Sequence, residues 1–193
     1  SLIDFSTKGP DANESNWLDM DEASLSHYLQ SQNASVSEGA TRDIVEFFHS
    51  YPVRQLQEKG REYLKRLMPM LIDALLLTES REQTLSNFLT MLEKICNRTA
   101  YLVLLVENKL VFEQLIRLAK LSPWIITQVT RSPILLDELI DPASLYGVVS
   151  KTALAAELDI AIAEVNENDV EGQMEALRLF KQVNVLRVAA ADL

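Results

Sequence analysis

The sequence predicts an all-α protein: a multi-helix bundle with one long central helix and several short helices. Three observations predict it. Glycine and proline are scarce, at five and six among 193 residues, whereas an all-β sandwich or barrel needs many tight turns that use them. Apolar residues recur three and four positions apart, the repeat of one helical face. Alternation of apolar and polar residues, the mark of a half-buried strand, never lasts beyond a few positions.

Residues 1–40 differ from the rest. They hold Gly9-Pro10, Gly39, many Ser and Asn, and the acids Asp19, Asp21 and Glu22. This composition predicts a linker-like arm that docks loosely, with one short helix from about Ser15 to Gln30 built on Trp17, Leu18, Leu25, Tyr28 and Leu29. The helical bundle spans 41–193. Ile44, Val45, Phe47 and Phe48 predict a short helix that stops before Pro52, since the residue ahead of a proline is pushed out of helical space. A second helix is expected over about Val53 to Leu77, on a stripe from Leu56 through Leu64, Leu67, Leu71 and Leu75, with Pro69 kinking it.

The long central helix is expected from about Arg81 to Glu107. Ser80 with Gln83 reads as a capping box, in which each side chain satisfies the other's free backbone N–H. Between Ala100 and Val106 the pattern turns apolar on nearly all sides, which predicts burial within a bundle. Asn108 ends that helix or caps the next, about Lys109 to Leu121. Ser122-Pro123 and Ser132-Pro133 each fit a serine N-cap followed by proline at the first helical position, predicting two short helices up to Thr130 and Ile140. A helix from about Ser150 to Val165 follows. The last runs from about Asp169 to Leu193, with Asn168 and Glu171 as a capping pair and a stripe of Val170, Met174, Leu177, Phe180, Val183, Leu186 and Ala190. It meets no stop signal, so the natural protein is expected to continue past Leu193, and the missing initiator Met suggests an excised or processed piece.

Charge and composition exclude several classes. The net charge is −10 and the pI about 4.7, and Lys and Arg do not cluster. Nucleic acid is therefore not an expected partner, because phosphate binding needs a basic patch. An anionic membrane surface would repel the chain. The longest apolar run, Tyr101 to Val106, is far too short to span a bilayer. The single cysteine, Cys96, can form neither an internal disulfide nor a cysteine metal cage, and a cytoplasmic setting is the natural reading. Three Asn-x-Ser/Thr triplets carry no meaning there.

Catalytic candidates are absent from the sequence. Two-metal nucleotidyl transfer needs paired acids on a rigid strand beside a Gly-Ser turn. The one Asp-x-Asp, Asp19-Met20-Asp21, lies in the arm without either, and reads as a solvated cluster at a helix start. His27 and His49 have no metal-ligand spacing around them. Cys96 lies on an apolar stripe and reads as a small buried hydrophobe. No catalytic, cofactor-binding or metal-ligating residue is assigned. Four residues remain as possible interaction sites. Arg98, set in an apolar stretch, needs a carboxylate or carbonyl partner within the chain or outside it. Trp124 either anchors an interface, where tryptophan is enriched, or pins its short helix to the core. Asp137 and Glu138 form a solvated face opposite Leu135, Leu136, Leu139 and Ile140, or a docking face.

The order of several short words carries more. They are Arg98-Thr99-Ala100-Tyr101-Leu102, Glu107-Asn108, Ser122-Pro123-Trp124, the run Leu135 to Pro142, Ala176 to Gln182, and Leu186-Arg187-Val188-Ala189-Ala190. In this order the chain resembles the glutamine synthetase adenylyltransferase family, the bifunctional adenylylating and adenylyl-removing enzymes of bacteria. The likeness begins weakly at Val53-Arg54-Gln55-Leu56 and covers roughly Phe47 to the C-terminus. It departs from the family pattern at Lys109, where proline is usual, and at Val188, where isoleucine is. The resemblance implies a central helical fragment lying between two nucleotidyltransferase domains and leading into the second. It implies a parent enzyme that uses ATP and magnesium, with glutamine synthetase and the PII signal protein as partners and glutamine as a signal. The family's Gly-Ser and Asp-x-Asp signatures are not found in this chain, so no catalytic residue carries over. The alternative is a free-standing helical interaction module of shared ancestry.

Overall fold

A computed structural model describes residues 20–31, 37–76, 81–147 and 150–192. They form eleven α-helices and one 3-10 helix, with no strand among the described residues. The all-α class is therefore correct. The chain divides into two compact units, Ser1–Lys109 and Leu110–Leu193.

The first unit holds α1 (Glu22–Ser31), α2 (Glu38–His49), α3 (Tyr51–Arg54), α4 (Glu58–Leu76), α5 (Arg81–Ile95) and α6 (Thr99–Glu107). Short polar side chains start the first two helices by accepting otherwise unpaired backbone N–H groups. Asp21 accepts from the Ser24 amide at 2.8 Å and Ser37 from that of Ala40 at 3.2 Å. The helix of the amino-terminal stretch is shorter than expected, starting at Glu22, and residues 1–19 lie outside the described ones. Its Leu25 and Leu29 are buried. The expected helix over 53–77 is two pieces, with the chain turning at Gln55–Gln57 between α3 and α4. Helix α4 runs through Pro69 and packs beside α6, while α2 packs against α1 and α5. Ile44, Phe47, Leu64, Leu67, Met68, Leu71, Phe88, Met91 and Leu92 form the core. Gly60 permits the approach of α4 to α6: a Cβ there would lie 3.0 Å from Leu56 Cδ2 and 3.5 Å from Thr99 Oγ1. Arg66 adds an ion pair at 2.8 Å to Glu107, the last residue of α6.

The expected long central helix is interrupted. It ends at Ile95 and restarts at Thr99. Arg98 takes an extended backbone conformation (φ −109°, ψ 91°), and its amide donates to the Ile95 carbonyl at 2.9 Å, which closes a turn. Asn97 and Thr99 are poor helix-interior residues that compete for local backbone hydrogen bonds, so the break falls there. Ser80 of the expected capping box lies outside the described residues, and the Gln83 amide instead donates to Asn87 Oδ1 at 3.2 Å.

The second unit holds α7 (Lys109–Leu121), α8 (Pro123–Arg131), the 3-10 helix Pro133–Leu139, α9 (Pro142–Tyr146), α10 (Lys151–Ala163) and α11 (Val170–Ala191). Both Ser-Pro steps start helices with proline in the first turn as expected, but neither serine hydroxyl caps, and the second helix is 3-10 rather than α. Leu115, Leu118, Ile125, Val129, Leu135, Leu136, Leu139 and Leu145 are buried. The guanidinium of Arg117 stacks over the Tyr146 ring, 5.3 Å from its centroid, and the Tyr146 hydroxyl donates to Gln114 Oε1, joining α7 to α9. Helices α10 and α11 form a hairpin. Its turn uses Asp169, not the expected Asn168, as the N-cap of α11, accepting from the Gly172 amide at 2.9 Å. Among the described residues no helix is long and apolar enough to cross a membrane.

Candidate interaction surface

The four candidate residues fall in different settings. Arg98 lies in the first unit, at the turn between α5 and α6 rather than inside a helix, and is exposed. Its carbonyl accepts the Tyr101 amide at 2.9 Å, so its backbone starts α6 while its side chain reaches solvent. The other three lie in the second unit. Trp124 is the second residue of α8 and remains 43% exposed. A tryptophan that pinned α8 to the core would be covered; that task falls to Ile125, Ile126 and Val129, all buried. Trp124 thus keeps close to half of its surface in solvent.

Asp137 is exposed on the 3-10 helix, while Glu138 points elsewhere. Its Oε2 accepts from Arg187 Nε at 3.1 Å and lies 3.0 Å from Arg187 Nη2. The same guanidinium donates through Nη1 to Glu157 Oε2 at 2.9 Å. One arginine of α11 therefore ties together the 3-10 helix and α10. Its side chain is 14% exposed and that of Glu138 21%, so the pairing is shielded from water and stronger than an ordinary surface ion pair. Glu138 is internal scaffolding, which leaves Asp137 as the acidic group facing outward. Arg187 was not singled out by sequence reasoning; the signal present was an arginine set among Leu186, Val188 and Ala189, where a charge needs a partner.

The groups set aside as non-catalytic have plain structural roles. Asp21 caps α1, and hydrogen bonds from Ser24, hydroxyl first and amide second, hold its carboxyl below the usual carboxylate range. Asp19 lies outside the described residues. Burial pushes the Cys96 thiol up to about 11, and its Sγ donates to the Glu93 carbonyl at 3.5 Å, so it is a poor nucleophile. His27 and His49 are exposed, and His49 Nδ1 sits 2.8 Å from the Val45 carbonyl. Among the described residues no three of His, Cys, Asp and Glu gather as metal ligands would.

The largest difference from expectation is on α11. Its anticipated core stripe does not face one way. Met174 is 56% exposed and Val170 65%, whereas Leu186 and Ala190 are buried. From Leu177 the stripe advances by threes, to Phe180, Val183 and Leu186. Each three-residue step falls short of a full turn by about 60°. The stripe therefore spirals from the outer side of the helix to the inner.

Relatives of known kind match this chain. Residues 112–193 match the sequence model of the family described as glutamate-ammonia ligase adenylyltransferase. The bifunctional glutamine synthetase adenylyltransferase/adenylyl-removing enzyme of Nitrosococcus oceani is 43% identical over 178 residues, 91% of this chain and 18% of that protein. The enzyme of the same description from Thioalkalivibrio sulfidiphilus is 46% identical over 140 residues, 72% of this chain and 14% of that protein. That of Vibrio parahaemolyticus is 43% identical over 164 residues, 84% and 17% respectively. The chain thus spans less than a fifth of the length of these relatives. On that likeness, carried through both units, the chain belongs to the glutamine synthetase adenylyltransferase family.

Proposed function

We propose that this chain is a non-catalytic helical part of an enzyme that adenylylates glutamine synthetase and removes the adenylyl group again, in control of nitrogen assimilation. The observation that carries the reading is the 43% identity over 91% of the chain to a bifunctional enzyme of that description. In this reading the AMP comes from ATP with magnesium on catalytic domains outside these residues, in the cytoplasm. The helical units hold those domains in register and relay the signals of PII and glutamine. Trp124 and Asp137, exposed on the second unit, are the contact residues offered to a regulator or to glutamine synthetase, and Arg98 is the one offered by the first. The exposed apolar side of α11 also suits a free-standing interaction module, the second reading.

The test is AMP transfer from labelled ATP to glutamine synthetase by the full-length enzyme, with and without PII and glutamine. Trp124→Ala with Asp137→Asn is expected to leave unregulated transfer within about twofold and to change the response to PII or glutamine at least about fivefold, roughly 1 kcal/mol of coupling. A response identical to that of the parent would remove these residues from the relay. AMP transfer by residues 1–193 alone would overturn the non-catalytic reading.

A further inference from the structure

Helix α11 is apolar on two sides. Leu186 and Ala190 face inward and are buried. On the outer side, Val170, Met174, Leu177, Val185 and Val188 are between 41% and 65% exposed. With the exposed Lys181 they follow one another at steps of four, three, four, four and three. Steps that average close to the helical repeat keep all six on one narrow stripe, the spacing of a coiled-coil seam. A helix apolar on both faces is a helix covered on both faces. Helix α10, the other arm of the hairpin, has no buried residue and leaves Ile160 62% exposed, so it does not supply the cover.

The charge on the stripe selects the occupant. Lys181 lies within one turn of the midpoint between Val170 and Val188. A second copy of α11 would bring Lys181 against its own counterpart if the two helices ran parallel in register, and within about one turn of it, about 6 Å along the seam, if they ran antiparallel about the centre of the stripe. Two ammonium groups meeting in an apolar seam oppose that pairing. A helix with an apolar stripe and one carboxylate at the matching level would instead pair with Lys181 while burying the flanking valines, leucine and methionine. The relatives carry more than four-fifths of their length outside the matched segment, so such a helix can be covalently at hand.

We propose that the outer stripe of α11 is the docking face for an amphipathic helix of the same longer polypeptide, one that carries an aspartate or glutamate at the level of Lys181. This rests on the reading of the chain as part of a larger enzyme. The seam is about 27 Å long, from eighteen steps of 1.5 Å, which asks for a partner helix of about five turns. Met174 serves as a built-in reporter, because a thioether packed into a seam oxidises slowly and a solvated one quickly.

The test uses the full-length protein as an equal mixture of isotopically heavy and light preparations. Peroxide oxidation of Met174 is followed by mass spectrometry in native and denatured protein, and zero-length carbodiimide coupling maps the carboxylate beside Lys181. The expected result is oxidation at least about tenfold slower in the native protein, with Lys181 joined to an Asp or Glu outside residues 1–193 and no heavy–light pairs. Lys181→Glu is expected to raise native Met174 oxidation severalfold, whereas Lys181→Met is not. Heavy–light pairs would assign the face to a second copy and overturn the proposal. So would coupling to a carboxylate within residues 1–193, protection of Met174 without any coupling to Lys181, or native oxidation as fast as in the denatured protein. AMP transfer measured on the same preparation reads the enzymatic proposal separately.

Discussion

Arg187 engages two acids at once, and the three groups differ in how much water they keep. Its own side chain is 14% exposed, Glu138 is 21% exposed and Glu157 is 44% exposed. Removing the arginine leaves two carboxylates near one another with the more buried one unpaired, and a stranded, shielded charge costs more than a lost surface pair. Arg187→Met is therefore expected to destabilise the second unit by about 2 kcal/mol in urea unfolding. Glu157→Gln should cost less than about 1 kcal/mol, since that carboxylate can rehydrate. Adding Glu138→Gln to Arg187→Met should recover part of the loss by removing the stranded charge. Equal costs for Arg187→Met and Glu157→Gln would show that the shielded contact to Glu138 contributes nothing. At this scale the sequence placed Asp137 on a solvated face, where it lies, but left Trp124 open between an interface and the core, because its exposure depends on the packing of Ile125, Ile126 and Val129 beside it. It assigned Glu138 to the same outward face, because its partner is 49 positions away and spacing along the chain carries no trace of that contact.

Helix type and order were legible from period and composition, and boundaries where a proline or a polar cap marks them. Asn108 closes α6, its amide donating to the Leu104 carbonyl at 3.0 Å, and Ser150 caps α10 through the Ala153 amide at 3.2 Å. Breaks without proline or glycine were not legible. The interruption at Cys96–Arg98 is marked only by the polar Asn97-Arg98-Thr99, residues that also occur inside helices, so the apolar stripe on either side reads as one helix. The turn between α10 and α11 shows how closely such joints are built. A Cβ on Gly172 would lie 2.4 Å from Asp169 Oδ2 and 2.8 Å from Val165 Cγ1. Alanine for glycine inside a helix ordinarily gains up to about 1 kcal/mol. Here it must displace the capping carboxylate, and a lost cap costs about 1 kcal/mol. Gly172→Ala is thus expected to give no net gain or a loss of up to about 1 kcal/mol by thermal unfolding, with Asp169→Ala costing about 1 kcal/mol alone. The two changes should be non-additive, the double variant being more stable than the sum requires. Strict additivity would show that the cap and the glycine are unrelated.

Across the whole molecule, burial is uneven. The first unit and the α7–α8 part of the second hold side chains at 0–2% exposure, such as Leu64, Met68, Leu115, Ile125 and Val129. Helix α10 contains none that is buried, although Leu154, Leu158, Ile160 and Ile162 make it strongly apolar. The sequence could not reveal this contrast, because an apolar helix reads alike whether its cover lies in the same stretch of chain or elsewhere. Local stability follows local burial, since a helix opens at little cost when few apolar contacts break with it. Backbone amides at the middle of α10 are therefore expected to exchange with deuterium at least about a hundredfold faster than those of α8 within the same unit, a difference of about 2.7 kcal/mol in opening free energy. Residues 1–193 are the material for that measurement. In the full-length protein the gap should narrow, because a helix seated on α11 restrains the hairpin from its outer side and α10 cannot then open independently. Equal protection of α10 and α8 in the isolated chain would mean that the hairpin is held by its own contacts, chiefly the Arg187 ion pairs and the Asp169 cap, and has no need of a cover.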